Sequence, residues 1–195
     1  MDPCAIERNH MSERVVELVA LVGSLRAASV NRQLAHVAAD NAPAGVSITV
    51  VDDLGSLPFY SEDVDVEDQL DAGVAKLRQV VGSADGVLIA TPEYNGTIPA
   101  ALKNAIDWLS RPYGTGALTG KPVAVLSAAL GQYGGAWTRE DTRKSVGIAG
   151  GRAIEEADLG LQVAALPEGG LSDPAVVEKI VASVSRLVDE VTVNA

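Results

Sequence analysis

Two kinds of apolar pattern alternate along the chain. The stretches "VVELVALV" (15–22), "VSITVV" (46–51), "GVLIA" (86–90) and "KPVAVLSAA" (121–129) are rich in Val, Ile, Leu and Ala, as strands are when both faces of a sheet are covered. Between them apolar residues recur at helical spacing. Leu34, Val37 and Ala38 mark a helix over about 30–40, and Leu70, Val74, Leu77 and Val81 mark one over about 66–82. The second has acids in its first turn, where the helix dipole favours them.

Pro99 stands where proline is tolerated, at a helix start; Leu102, Ala105, Ile106 and Leu109 then share a face until Pro112 stops the helix. The glycine-rich "LGQYGGAW" leads into a helix over about 136–148. Asp173-Pro174 caps a last helix whose Val177, Ile180, Val184, Leu187 and Val191 are expected to face inward. "GRAIEEADLGLQV" holds the least legible strand, a fifth, near 152–157.

Strands separated by helices predict an α/β fold with a doubly wound, five-stranded parallel sheet and helices on both faces, because parallel neighbours need crossover connections. Ligands in such sheets bind beyond the carboxyl ends of the strands, where the strand order reverses. That directs attention to three polar, glycine-marked loops, residues 23–31, 91–98 and 128–137.

In the first loop, "GSLRAASVNR", Gly23 permits a tight turn, Ser24 and Ser29 offer hydroxyls, Arg26 a charged fork and Asn31 an amide, at a helix start that attracts anions. This set suits a phosphate. It equally suits a capped helix start with Ser29 as N-cap and Arg26 solvated. It matches neither GxxxxGK[ST] nor GxGxxG, so nucleoside triphosphate and ordinary dinucleotide fingerprints are absent.

In the second loop, "TPEYNGTIP", Gly96 allows close backbone approach to a flat ligand and Pro92 and Pro99 stiffen the flanks; Asn-Gly is also an ordinary turn pair. In the third, Gly131, Gly134 and Gly135 repeat the theme. Tyr133 and Trp137 are available to stack, although Trp137 reads better as an apolar anchor of the next helix.

Length and composition narrow the classes. The 195 residues fit one domain with a well-buried core. The net charge of −11 disfavours nucleic acid and anionic membranes as partners. A single cysteine, Cys4, excludes a disulfide within the chain and any multi-cysteine metal site. No apolar run reaches membrane-spanning length, and a cytoplasmic location is expected. Met11 opens "MSERVVEL", which suggests a disordered leader over residues 1–13 ahead of one domain over 14–195.

The runs "GSLRAASVNRQL" and "TPEYNGTIPAALKNAIDWLSRP" resemble the NADPH-dependent FMN reductase family, flavodoxin-like proteins with GS-x-R-x-x-S-x-N after the first strand and PEYN-x-x-x-P-x-x-LKNAIDW after the third. The resemblance implies strand order 2-1-3-4-5, FMN as cofactor, NADPH or NADH as electron donor, and a homodimer or homotetramer with the flavin near a subunit interface. Carried onto this chain, it implies that Ser24, Arg26, Ser29 and Asn31 hold the FMN phosphate. Pro92, Glu93, Tyr94, Asn95 and Gly96 would line the ribityl chain and ring system, with Ser127 and Gly131 completing the cofactor set.

Many relatives of that pattern have an arginine in the third loop, in a GG-x-R setting. This chain has Gly134-Gly135-Ala136-Trp137 instead, with Arg139 and Arg143 nearby.

Hydride transfer through a flavin needs no protein nucleophile, metal or histidine, since the cofactor carries the chemistry. The chain has two histidines, and His36 falls inside the first helix, as an ordinary helix residue would. The function implied is an NAD(P)H-dependent oxidoreductase with small-molecule acceptors: quinones, azo compounds, free flavin or metal oxyanions. A flavodoxin-type electron carrier is the alternative, which the acidic charge suits but the phosphate loop does not. An NAD-binding Rossmann dehydrogenase rests only on Asp52 and Asp53 at the end of the second strand.

Overall fold

The computed structural model describes residues 14–193, so the expected leader lies outside the described residues. In chain order the elements are β1 (Val16–Val22), α1 (Val30–Asp40), β2 (Val46–Val51), α2 (Ala72–Ser83), β3 (Gly86–Ala90), α3 (Ala100–Leu109), β4 (Pro122–Ala129), α4 (Ala136–Ile148), β5 (Arg152–Ala153), β6 (Leu159–Gln162) and α5 (Pro174–Thr192). All strand pairings are parallel, and the sheet runs β2-β1-β3-β4-β5. This is the expected flavodoxin-like order.

Side chains alternate across the sheet, so each strand feeds two cores. Leu18, Ala20, Val22, Leu88, Ala90 and Leu126 face Leu34 and Ala38 of α1 and Ile180, Val184 and Leu187 of α5. Val19, Leu21, Val87, Ile89, Val123 and Val125 face α2, α3 and α4 through Leu77, Val81, Leu102, Ile106 and Val146. Helices on both faces explain why β3 is apolar throughout: all five of its residues are buried. In α5 the buried valine of the first turn is Val176, with Val177 at the margin.

Two elements depart from the sequence expectation. The helix expected from residue 66 begins at Ala72, because Asp71 is a strong N-cap whose Oδ1 accepts the N–H groups of Gly73 (2.8 Å) and Val74 (3.3 Å). Glu67 and Asp68 belong to a separate 3-10 turn, so the first turn of α2 carries no acid.

The fifth strand is split. β5 pairs with Pro122 and Val123, a 3-10 turn at Glu155–Ala157 interrupts, and β6 resumes alongside residues 126–129. At the gap the Asp158 carboxylate accepts the Val125 N–H at 2.8 Å, so a side chain satisfies the donor that the interrupted strand leaves open. Burial raises the Asp158 pKa, opposed by that hydrogen bond and by Arg143.

The irregular stretch between β2 and α2 is held by α3. Asn104 Oδ1 accepts the Tyr60 N–H (2.8 Å), its Nδ2 donates to the Pro58 carbonyl (2.9 Å), and Trp108 Nε1 donates to the same carbonyl (2.8 Å). Tyr60 meets the Trp108 ring edge-on at 4.9 Å. Arg78 lies 5.5 Å from the ring centroid and pairs with Asp65 at 2.8 Å. Trp108 is fully buried, so Trp108→Ala should destabilise the fold by roughly 3–5 kcal/mol in urea unfolding, from lost burial plus a cavity; a loss below about 1 kcal/mol would show that this anchor is dispensable.

Candidate active site

The chain steps from β1 outward to β2 and then returns to the opposite side of β1 as β3, so the carboxyl ends of β1 and β3 border the crevice where the order reverses. A cleft of about 550 Å³ opens there, within the range of small-ligand sites. Ser24, Arg26, Ser29 and Asn31 line it from the first loop, Pro92, Glu93 and Tyr94 from the second, and Gly131 from the third, alongside Leu130 and Val163. Asn95, Gly96 and Ser127 do not line it. A groove of similar size, about 540 Å³, lies between the C-terminal halves of α3 and α4, toward the amino ends of the strands.

The first loop has a free donor set. Ser29 caps α1 by accepting the Arg32 N–H at 3.3 Å, which satisfies one of the orphan donors of a helix start. The Ser24 hydroxyl and the N–H groups of Leu25, Arg26, Ala27 and Ala28 have no hydrogen-bond partner among the described residues. Arg26 folds back onto the Ala28 carbonyl at 3.1 Å and remains exposed. Gly23 has a packing role, since an added Cβ would stand 2.9 Å from Thr91 Oγ1 and 3.3 Å from Leu102.

Asn31 is committed elsewhere. It is buried, its Nδ2 donates to the Ala128 carbonyl (2.9 Å), and its Oδ1 accepts the Ala128 N–H (2.8 Å). The amide expected to face a phosphate therefore locks the start of α1 to the end of β4.

The second loop is a two-residue hairpin. Tyr94 and Thr97 exchange both backbone hydrogen bonds (3.2 and 3.1 Å), and Asn95 and Gly96 have φ of 51° and 75°. Positive φ at both central residues is what such a tight hairpin requires, and Asn-Gly supplies it at least strain. The hairpin is tied to α4: Glu93 accepts the Thr138 N–H at 3.1 Å, and Thr97 Oγ1 donates to Asp141 at 2.5 Å. A carboxylate on the first turn of α4 is placed where the dipole stabilises it.

The third loop is pinned from below. The fully buried Ser127 donates to the Gly134 carbonyl (2.6 Å) and accepts from Arg139 Nη1 (2.6 Å), which also reaches that carbonyl (2.7 Å). Burial lowers the Arg139 pKa from the ordinary arginine value, with Asp158 opposing the shift. Arg143 pairs with Asp158 and with Glu155 (3.0 Å). Both arginines are thus spent on the third loop and the split strand, and neither lines the cleft.

The profile of the NADPH-dependent FMN reductase family matches residues 16–165. The chain belongs to this family. A 2-hydroxy-1,4-benzoquinone reductase of a Burkholderia species is 44% identical over 128 residues, 66% of this chain and 68% of that protein. An NAD(P)H-dependent FMN reductase of Pseudomonas aeruginosa is 37% identical over 131 residues, 67% and 69% of the two chains. Among solved structures, the flavoenzyme NAD(P)H:acceptor oxidoreductase FerB of Paracoccus denitrificans superposes with a TM-score of 0.80 at 29% identity, covering 91% of this chain and 98% of that one. An FMN-dependent NADH-azoreductase of Bacillus anthracis, solved with FMN, shares the fold at 16% identity and a TM-score of 0.58, covering 88% and 99%.

The FMN reductase described here is therefore an NAD(P)H-dependent oxidoreductase with FMN as cofactor. Its cleft fits that group by donor chemistry: free N–H groups, a hydroxyl and a guanidinium at one end, and a half-exposed tyrosine ring beside backbone at the other. The lining residues that sequence reasoning missed, Val30, Ala128, Ala129, Leu130 and Val163, carry no polar signal, and Val163 follows the strand that was hardest to read. No helix among the described residues is long and apolar enough to cross a membrane.

Replacing Asn31 by Ala would strand the buried N–H and carbonyl of Ala128. Roughly 1–3 kcal/mol of stability should be lost for each group left unpaired, read as a shift in the denaturation midpoint; an unchanged midpoint would show that the clamp adds nothing.

Proposed function

We propose that this FMN reductase is an NAD(P)H:quinone oxidoreductase whose cofactor phosphate is held by the first loop. The observation that carries this reading is the convergence, in one cleft, of an unpartnered donor loop and a half-exposed tyrosine at the reversal point of the sheet. FMN held in this cleft would supply the hydride-transfer chemistry between a reduced nicotinamide and the acceptor. The quinone assignment is supported by relatives named quinone reductases at 44% and 41% identity.

In this reading the chain's own residues bind and orient. Ser24 and the N–H groups of Leu25 to Ala28 donate to the phosphate, and Arg26 swings from the Ala28 carbonyl to a charged oxygen, a stronger acceptor. Ser29 and Asn31 shape this cradle, one by capping α1 and the other by fixing its distance from β4. Pro92 and Glu93 keep the second loop rigid against α4, so backbone groups rather than side chains meet the flat ring. Tyr94 stands as a wall, Asn95 and Gly96 turn the hairpin that carries it, and Gly131 leaves the third loop open above the cleft. Ser127 fixes that third loop.

Assembly into a homodimer or homotetramer is part of the proposal. It is supported by exposed Tyr113 and Ile148 beside the groove between α3 and α4, since apolar patches of this kind mark contact surfaces.

Purified protein loaded with FMN should be yellow and should bleach on anaerobic addition of NADPH or NADH without a partner reductase, then regain colour when a quinone is added. A protein that binds FMN yet stays yellow with both nucleotides would instead be an electron carrier of the flavodoxin type. Arg26→Ala should weaken FMN binding by roughly 1.5–3 kcal/mol, as for a charged hydrogen bond, in a fluorescence titration; equal affinity would remove Arg26 from the phosphate site.

A further inference from the structure

We propose that Tyr133 and Trp137 form a docking shelf that selects flat, uncharged aromatic acceptors and rejects anionic ones; this rests on the quinone reductase reading above. The shelf lies beside the hairpin whose Tyr94 lines the cleft. Tyr94 lines the cleft and is 48% exposed, while Tyr133 and Trp137 are 57% and 52% exposed. The Tyr133 and Trp137 rings are 5.5 Å apart at 59°. Trp137 also borders the hairpin that carries Tyr94, its Cε3 lying 3.7 Å from where a Cβ on Gly96 would stand.

Half-exposed rings at a cleft mouth offer a large apolar area at small entropic cost, and planar π-systems are what they bind best. Trp137 is not the packing anchor that its position in the sequence suggests, because half of it faces solvent and the buried residues of α4 are Thr138, Thr142 and Val146.

Charge sharpens the selection. The nearest arginines on α4 point inward, Arg139 to Ser127 and Gly134, and Arg143 to Glu155 and Asp158. One turn beyond Trp137 the helix presents an exposed Glu140 and an Asp141 that holds Thr97. An anion approaching the shelf meets carboxylates on a molecule of net charge −11 and finds both nearby α4 guanidinium groups turned inward. A neutral ring loses nothing to that field.

The test compares menadione with a naphthoquinone sulfonate, acceptors of similar ring size and different charge, using the FMN-loaded enzyme and NADPH. Wild type should show the lower KM for menadione. Trp137→Ala should raise that KM roughly three- to tenfold with a kcat change below about twofold, the scale of one aromatic contact. Trp137→Phe should restore it, and Trp137→Arg should lower the KM for the sulfonate. Binding has its own readout: Trp108 is fully buried, so of the two tryptophans only Trp137 is open to quenching, and menadione should quench it saturably in the oxidised enzyme.

Equal KM values for the two acceptors in wild type, or an unchanged menadione KM in Trp137→Ala, overturn the shelf. Should that variant fail to fold, Tyr133→Ala decides on the same criteria. A wild type that turns over neither quinone while bleaching with NADPH overturns the quinone reading itself and not only the shelf.

Discussion

Two hydrogen bonds between the Asn31 amide and the backbone of Ala128 set the first loop of the cleft against the third. They join the first turn of α1 to the end of β4, so the first and third loops face each other at a set distance. A buried amide with both ends paired is stable in place and expensive to replace, because the backbone groups it satisfies have no water to turn to. The donor loop ahead of α1 inherits its position from this clamp. Its own N–H groups from Leu25 to Ala28 stay unpaired among the described residues.

The second loop is rigid for a different reason. A hairpin of two residues, Asn95 and Gly96, holds Tyr94 and Thr97 in register, and Glu93 and Thr97 fasten that hairpin to α4. The acid, ring and amide of the run "PEYNG" therefore divide their duties. Glu93 is a tie to a helix start, Asn95 is a turn residue, and Tyr94 alone presents a ring to the cleft. A site without histidine or cysteine in its lining is consistent with chemistry carried by a flavin, where the protein contributes position and field.

Much of this was legible in the sequence. The apolar runs at 46–51 and 86–90 and the helical periodicities at 30–40 and 136–148 coincide with the observed elements, because strands covered on both faces and amphipathic helices leave the plainest patterns. Legibility failed where one side chain outweighed the pattern. Asp71 starts α2 later than its apolar spacing implies, and Asp158 lets the fifth strand break. At the site, eight of the eleven cofactor positions inferred by resemblance line one cleft. Their partners were invisible, since Asn31 bonds across 97 residues, Glu93 across 45 and Ser127 across 12. The inward turn of Arg139 was likewise hidden, and with it the uncharged character of the exposed aromatic shelf.

The central claim is that the loop after β1 is a phosphate cradle, and calorimetric titration of the flavin-free protein with FMN and with riboflavin tests it most directly. The two ligands differ only in the phosphate. FMN should bind more tightly by a factor of about 100 or more, the effect of two charge-assisted hydrogen bonds at roughly 1.5 kcal/mol each. Equal affinities for the two would contradict the account, since the free donors of the first loop would then hold no part of the cofactor.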